Sequence, residues 1–255
     1  TSTGPGDIIA AFPVTLMAGE TYSVIANGVL DPSGFQANPD GREIAFTLFT
    51  KAGAREAALD MGMVDFFALH GATDAPTVDV IARDVATLVD DAAYGDITDY
   101  LSVPPASYIL DVTPGGDNST IVASFEADLS GLGGGAAVVF ASGFLTPADD
   151  QDGAPFGLFA ALPNGTVVEF PALTEARLQV IHNAADPAAA EVDVYVNGEI
   201  LLDDFAFRAA TPYIDVPANV ELEIGVAPGT STGPGDIIAA FPVTLMAGET
   251  YSVIA

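Results

Sequence analysis

The sequence predicts an all-β protein made of tandem β-sandwich modules. Short runs rich in Val, Ile, Phe and Tyr alternate with clusters of Pro, Gly, Asn and Asp, which is typical of strands joined by turns. The turn signals recur about every ten residues, the spacing expected of a sandwich. Half of the 255 residues are apolar, so a packed core is expected, and the sequence repeats itself at two levels.

The longer repeat is an exact copy. Residues 1–26 recur letter for letter as residues 230–255, an offset of 229. A match of this length indicates recent duplication, so we interpret the sequence as a window on a polypeptide that repeats every 229 residues. A fragment with arbitrary limits is the alternative. Because the sequence starts at Thr1 without a signal peptide, we expect the natural N-terminus to lie upstream.

The shorter repeat divides each period into two diverged modules. Residues 69–80 resemble residues 181–194, and residues 141–147 resemble residues 26–32. These offsets are close to half of the period, which predicts modules of about 115 residues. The predicted domains are the C-terminal part of a module (1–60), a complete module (61–173) and the N-terminal part of the next module (174–255).

The coarse secondary structure follows from this pattern. Strands are predicted at 64–69, 77–82, 98–103, 107–113, 120–128, 136–143 and 156–162. Alternation from Val192 to Asn197 predicts a half-buried strand, closed by a tight turn at Asn197-Gly198. The glycine-rich stretch 131–135 is predicted to be a hairpin turn between the strands at 120–128 and 136–143. Residues 52–61 are predicted to form a short helix.

The composition excludes several classes of function. The chain has 35 acidic and six basic residues, for a net charge of −29, which argues against binding to nucleic acids or anionic membranes. It has no cysteine for disulfides or thiolate chemistry, and no apolar run long enough for a transmembrane helix. No G-x-S-x-G motif occurs, and no P-loop lysine follows the glycines. The sequence therefore predicts a protein without enzymatic activity.

Several of these stretches resemble a known family. Residues 176–186 and 192–198, and further on 213–217 and 247–253, are similar to the bacterial domain-of-unknown-function family 4397. The resemblance implies an immunoglobulin-like sandwich, found in secreted or surface proteins and often in tandem, with no catalytic residues. The first module departs from the pattern, because Ile81-Ala82-Arg83-Asp84 replaces the Tyr-Val-Asn-Gly stretch. Its hairpin is expected to turn differently.

The candidate metal site is an acidic loop. Asp149, Asp150 and Asp152 stand before Gly153, a combination of hard oxygen ligands and a sharp turn that suits Ca²⁺. No other cofactor is expected, and an ordinary exposed acidic loop is the alternative. The matching pairs Asp90-Asp91 and Asp203-Asp204 are either further ligands or solvated hairpin tips.

The two histidines occupy equivalent places in the two modules. His70 and His182 therefore lie too far apart to form one site, and we expect each to bond its adjacent loop, through Asp74 or Asp186.

The exact repeat itself is the candidate assembly site. The segment 230–255 is predicted to be an inter-repeat strand segment, with these residues in contact: Ile237, Ile238, Phe241, Val243, Leu245, Tyr251 and Val253. We expect a structural unit of a bacterial extracellular or cell-surface filament, stalk or matrix fibre. Its partners would be copies of itself, joined covalently in tandem or by strand exchange. An adhesin or ligand-binding module is the alternative, although the absence of Trp argues against sugar stacking.

Overall fold

The structure, a computed structural model, describes Ile8 and residues 10–254. Residues 1–7, Ile9 and Ala255, which belong to the two copies of the exact repeat, lie outside the described residues. The fold is all-β, with 47% of the residues in strands. Two compact units are present, one made of residues up to 121 with 125–172, the other of 122–124 with the residues from 173 onward. Among the described residues there is no helix with the length and apolar character needed to cross a bilayer.

Nineteen strands are formed by the described residues. In chain order they are β1 Tyr22–Asn27, β2 Thr47–Ala52, β3 Val64–His70, β4 Val78–Ala82, β5 Ala86–Ala92, β6 Leu101–Val103, β7 Ser107–Pro114, β8 Ala123–Asp128, β9 Ala136–Ser142, β10 Gly157–Ala161, β11 Val167–Phe170, β12 Ala172–Leu173, β13 Glu175–Ile181, β14 Glu191–Val196, β15 Glu199–Ala206, β16 Ile214–Pro217, β17 Glu221–Pro228, β18 Ala239–Thr244 and β19 Thr250–Ile254. Single turns of 3-10 helix occur at Pro32–Gly34, Pro147–Asp149, Pro187–Ala189 and Pro234–Asp236. Each starts with proline, whose fixed φ suits a first helical position.

The first unit contains two five-stranded sheets. One has the order β11-β10-β9-β3-β6 and the other β12-β8-β7-β4-β5. The central pair β3–β9 is parallel, whereas β10 pairs antiparallel with both β9 and β11. Side chains from both sheets line an apolar cavity of about 70 Å³, so the sheets face each other across one core. The β1–β2 hairpin packs beside them, with Val29 and Ile44 buried against Tyr94.

The second unit repeats this plan with fewer strands. Its sheets have the orders β16-β13-β19 and β15-β14-β17-β18, and the pair β13–β19 is parallel like β3–β9. Along β13, alternate residues Ala176, Leu178 and Val180 are buried, each at most 4% exposed. They pack against Leu222 of β17, which joins the two sheets in one core. The predicted β-sandwich modules are confirmed, and the domain boundaries given above stay a prediction.

The hairpins of the two modules turn differently, as the sequence predicted. Asn197 and Gly198 have φ of 50° and 80°, the left-handed pair that a two-residue turn between β14 and β15 requires. In the first unit the turn spans 83–85, with Asp84 at φ 59° and the amide of Val85 donating to the carbonyl of Ala82 at 2.9 Å. This longer turn contains Arg83, whose guanidinium donates to the Asp111 carboxylate of β7.

Two predictions about connections were wrong. Residues 53–63 form bends and turns instead of a helix, because several of their backbone amides donate to groups outside the segment. The amide of Ala58 donates to the carbonyl of Gly134 and that of Leu59 to the Asp65 carboxylate, at 2.9 and 3.0 Å. The glycine-rich stretch 131–135 is not a hairpin turn, since β8 and β9 lie in different sheets. It carries the chain from one sheet to the other.

The strand around residue 194 is not half-buried. Val192, Asp193, Val194 and Tyr195 are each at most 6% exposed, so β14 is covered on both faces. Alternation of apolar and polar residues predicted one solvated face, but Asp193 and Tyr195 are covered as well. Their polar atoms are satisfied internally, with Asp193 accepting the amide of Asp204 and the Tyr195 hydroxyl bonding Ser231.

Candidate assembly site

The second copy of the exact repeat is built into the second unit. It forms β18, which pairs with β17, and β19, which pairs with β13. Leu245 is 2% exposed, and Val243, Tyr251 and Val253 pack against the same core. Ile237 fills a notch left by a glycine, because a Cβ on Gly225 would lie only 2.6 Å from Ile237 Cδ1.

Two of the predicted assembly residues lie on the surface instead. Ile238 is 75% exposed and Phe241 is 57% exposed. These two side chains therefore contribute little to the packing of the repeat segment within its own unit.

The first copy of the same sequence has a different structure. Residues 10–15, identical to 239–244, form no strand. Leu16 is 57% exposed where the equivalent Leu245 is 2% exposed, and Ile8 is 63% exposed. The ring of Phe12 contacts Phe46 at 5.9 Å between centroids. Identical residues thus form a strand only where a β17-type partner is present, which shows that tertiary pairing decides the structure.

One part of the repeat has the same structure in both copies. The amide of Met17 donates to the Tyr22 hydroxyl at 3.0 Å, and the amide of Met246 donates to the Tyr251 hydroxyl at 3.1 Å. Each turn contains a glycine with positive φ, 85° in the first copy and 78° in the second. This local hook between the two halves of the segment is therefore independent of its surroundings.

The β1–β2 hairpin corresponds to the β9–β10 hairpin of the complete module. Ala26 pairs with Leu48 in the first hairpin, and the equivalent Ala141 pairs with Leu158 in the second. In the complete module β9 has two neighbours, β3 on one edge and β10 on the other. Among the described residues β1 has only the β10-type neighbour, β2, and β19 has only the β3-type neighbour, β13. The two copies therefore display complementary halves of one arrangement.

The acidic loop does not bring its three carboxylates together. Asp149 and Asp152 are exposed, whereas Asp150 is fully buried and accepts from the amide and the side chain of Gln36, at 2.8 and 3.3 Å. The oxygens of Asp150 thus serve to join two loops of the first unit. Calcium binding at this loop stays a prediction.

Within the described part of the chain, one group of three acids has ligand atoms within 4.8 Å of one another. It consists of Asp193, Asp203 and Asp204. Asp193 is buried and already accepts the amide of Asp204 at 2.8 Å and the hydroxyl of Ser231. We interpret it as a structural acceptor that fixes the irregular pairing of β14 with β15.

The first module has the same arrangement. Asp79 is 2% exposed and accepts the amide of Asp91 at 2.6 Å, and both Asp91 and Asp204 have a φ of 50°. Sequence reasoning missed these buried carboxylates. A usable signal was present, since each Asp stands between two valines at equivalent places of the two modules. The pairs Asp90-Asp91 and Asp203-Asp204 are thus parts of bulges in β5 and β15.

The histidines bond their loops, as expected, but through carbonyl groups. His70 Nε2 lies 3.0 Å from the Pro76 carbonyl, and His182 Nε2 lies 2.7 Å from that of Ala189. His70 is 4% exposed and lines the apolar cavity of the first unit. Burial lowers the pKa of His70, only partly opposed by the Pro76 carbonyl and the charges of Asp96 and Asp40.

Comparisons with known proteins identify a family. None of the curated proteins matches the chain. Among solved structures the chain is similar to the TIE protein of Bacillus anthracis, with 11% identity and a TM-score of 0.22. That match covers 92% of this chain but 42% of the other, so the chain spans less than half of that protein's length. The model of the domain of unknown function DUF4397 matches residues 55–153 and 171–255, which is most of the sequence. The chain belongs to the DUF4397 family, with two tandem copies of the domain.

Proposed function

We propose that the chain is a non-catalytic repeat unit of a bacterial extracellular or cell-surface filament, stalk or matrix fibre. The observation that carries this proposal is the exact repeat and its two structures. As β19 it pairs parallel with β13, and as β1 it pairs antiparallel with β2. In the complete module a single strand, β9, makes both kinds of pairing.

A continuous chain explains these two halves together. When β19 of one period and β1 of the next are the same strand, the sheet order becomes β16-β13-β19-β2, equivalent to β6-β3-β9-β10. The apolar side chains that the first copy exposes, such as Leu16, then become buried as Leu245 is. Covalent tandem linkage is preferred because in separate chains the two copies compete for one place. Each further period lengthens such a chain, and added length is useful to a fibre.

The distribution of charge supports a structural role. The carboxylates of Asp65, Asp79 and Asp193 are each at most 2% exposed and accept hydrogen bonds from side chains or backbone of the same unit. Burial alone would raise the pKa of Asp65, but hydrogen bonds from Ser102, the Leu59 amide and Arg55 hold it below its usual value. A net charge of −29 would keep a long polymer soluble.

The test uses the organism that produces the protein. Antibodies against this chain are expected to label filaments or a surface layer in electron micrographs of whole cells. Denaturing electrophoresis of the native material is expected to show a species far larger than 25.9 kDa. A band near that mass would contradict a continuous chain. Labelling confined to the cell interior would contradict the surface role, and labelling at cell contacts without fibres would favour the adhesin.

A further inference from the structure

We infer that residues 174–228 form a docking site for residues 8–26 of a second copy of this chain, and that residues 230–254 cap this site in cis. The inference rests on the proposed function, since both place the exact repeat in the sandwich that residues 174–228 begin. It goes beyond the proposed function because it concerns separate chains, which would join head to tail by exchanging identical segments.

The sequence of the incoming segment matches the site at each contact. Residues 8–26 are identical to residues 237–255, so Leu16 would take the place of Leu245 and Ala18 that of Ala247. Leu245 and Ala247 are at most 2% exposed in their present positions. Ile8 would take the place of Ile237 in the notch over Gly225. The site should therefore select an apolar strand with a β-branched residue opposite Gly225.

The incoming segment is already shaped for docking. Its Met17–Tyr22 hydrogen bond and its left-handed Gly19 reproduce the hook that the docked copy has at Met246–Tyr251. A preformed turn reduces the conformational entropy that docking must remove. Leu16 and Met17 are 57% and 65% exposed, so the segment presents its apolar side chains to solvent.

A second copy also brings a strand that the cis segment lacks among the described residues. In the second copy β1 continues into its hairpin with β2, pairing Tyr22 with Ala52 through to Asn27 with Thr47. Docking of β1 on β13 would therefore extend the sheet to four strands, in the order β16-β13-β1-β2. The complete module has the equivalent four strands β6-β3-β9-β10.

In the unaltered chain the cis segment occupies the docking site because its effective concentration is higher than that of a second copy. A segment tethered by a short connection has an effective concentration on the order of millimolar, about tenfold above a chain at about 100 µM. An Asp in place of the buried Leu245 should weaken cis docking on the order of a thousandfold, because it buries a carboxylate without partners. Under these conditions the docking site should hold the segment of a second copy about a hundredfold more often than the cis segment.

The experiment uses the full chain with matched substitutions at the two equivalent leucines. By sedimentation velocity at about 100 µM, Leu245→Asp is expected to give dimers and longer head-to-tail species. Leu16→Asp, with an intact cis segment, is expected to stay monomeric, as is the unaltered chain. The double variant Leu16→Asp/Leu245→Asp removes the donor as well and is expected to lose the association that Leu245→Asp shows.

A disulfide reports which segment occupies the site. The chain has no cysteine, and Ser252 contacts Gln179 across the β13–β19 pair, with their side-chain oxygens 3.4 Å apart. Ser23 is the equivalent of Ser252 in the first copy. In the Leu245→Asp chain, Gln179→Cys with Ser23→Cys is expected to form intermolecular disulfides. In the otherwise unaltered chain, Gln179→Cys with Ser252→Cys should close within one molecule.

Two results would overturn the inference. One is a Leu245→Asp chain that stays monomeric and forms no intermolecular disulfide. The other is a double variant that associates as strongly as Leu245→Asp, since exposed core surface alone would then explain the association. Neither result touches the filament proposal, in which a continuous chain needs no exchange. Conversely, failure of the surface labelling leaves the exchange between purified chains standing.

Discussion

Loss of one partner from the buried ion pair of the first unit should destabilise that unit strongly. Arg83 donates through Nε and Nη2 to the two oxygens of Asp111, at 2.8 and 2.7 Å, and the two side chains are 7% and 5% exposed. Arg83→Leu leaves a buried carboxylate without its principal partner. Breaking a buried pair from one side costs about 3–5 kcal/mol, a large part of the total stability of a domain.

Calorimetry and urea denaturation followed by circular dichroism measure this cost. With a slope of about 1–3 kcal/mol per molar urea, the midpoint of the first unit should fall by at least about 1 M. The second unit, which has Asn197 and Gly225 at the equivalent places, should be unaffected. The exposed pair Arg177–Asp215 provides a control, since its side chains are 59% and 63% exposed and Arg177→Leu should cost less than about 1 kcal/mol.

The double variant separates charge from packing. Arg83→Leu/Asp111→Leu replaces both charges with apolar groups and should be more stable than Arg83→Leu alone. A loss below about 1 kcal/mol in the single variant, or a double variant with the summed loss of both single variants, would refute this reasoning.

Three further predictions concern the core, the histidine and the bulge. Leu245→Ala should lower the free energy of unfolding of the second unit by about 2–5 kcal/mol, whereas Leu16→Ala, at the identical but exposed position, should change stability by less than about 0.5 kcal/mol in urea titrations. Because the folded pKa of His70 lies below its usual 6.5, the unfolded chain binds the proton more tightly. The stability that this group contributes should be full above about pH 6.5 and fall as the pH drops through the folded pKa. His70→Gln should flatten this part of the plot of melting temperature against pH. A variant whose plot runs parallel to that of the unaltered chain would count against this reasoning. Asp193→Ala removes the acceptor of two buried donors and should cost about 1–3 kcal/mol in thermal melts, while the exposed Asp203→Ala should leave the midpoint nearly unchanged.

Local signals in the sequence predicted a large part of this fold. The Asn197-Gly198 turn depends on two adjacent residues, and the parallel pairs β3–β9 and β13–β19 lie at equivalent places of the two modules. The repeat pattern in the sequence alone predicts this equivalence. Leu245, which the same pattern placed in the assembly segment, is buried in the core of its own unit, and its role in assembly stays a prediction.

What the sequence could not predict depends on partners distant along the chain. The strand β5 was missed because its polar residues Asp90 and Asp91 suggested an exposed tip. The alternation around Asp193 could not show that a second layer covers the polar face of the strand. Nor could it show that the amide of Asp204 donates to the Asp193 carboxylate. The residues at 52–61 have a composition compatible with a helix. Hydrogen bonds from their amides to groups outside the segment, such as Arg55 to Tyr100 and Ala58 to Gly134, hold them in an irregular path instead.

The place of the exact repeat inside a sandwich has a consequence for how such a protein varies in length. Recombination between two copies of the segment would remove or insert 229 residues at equivalent points of the same strand. The strand at the new join would still have one neighbour equivalent to β13 and one equivalent to β2. In the continuous chain proposed above, the number of periods could therefore change without creating a new packing interface, so the length of the chain would vary independently of the stability of its modules.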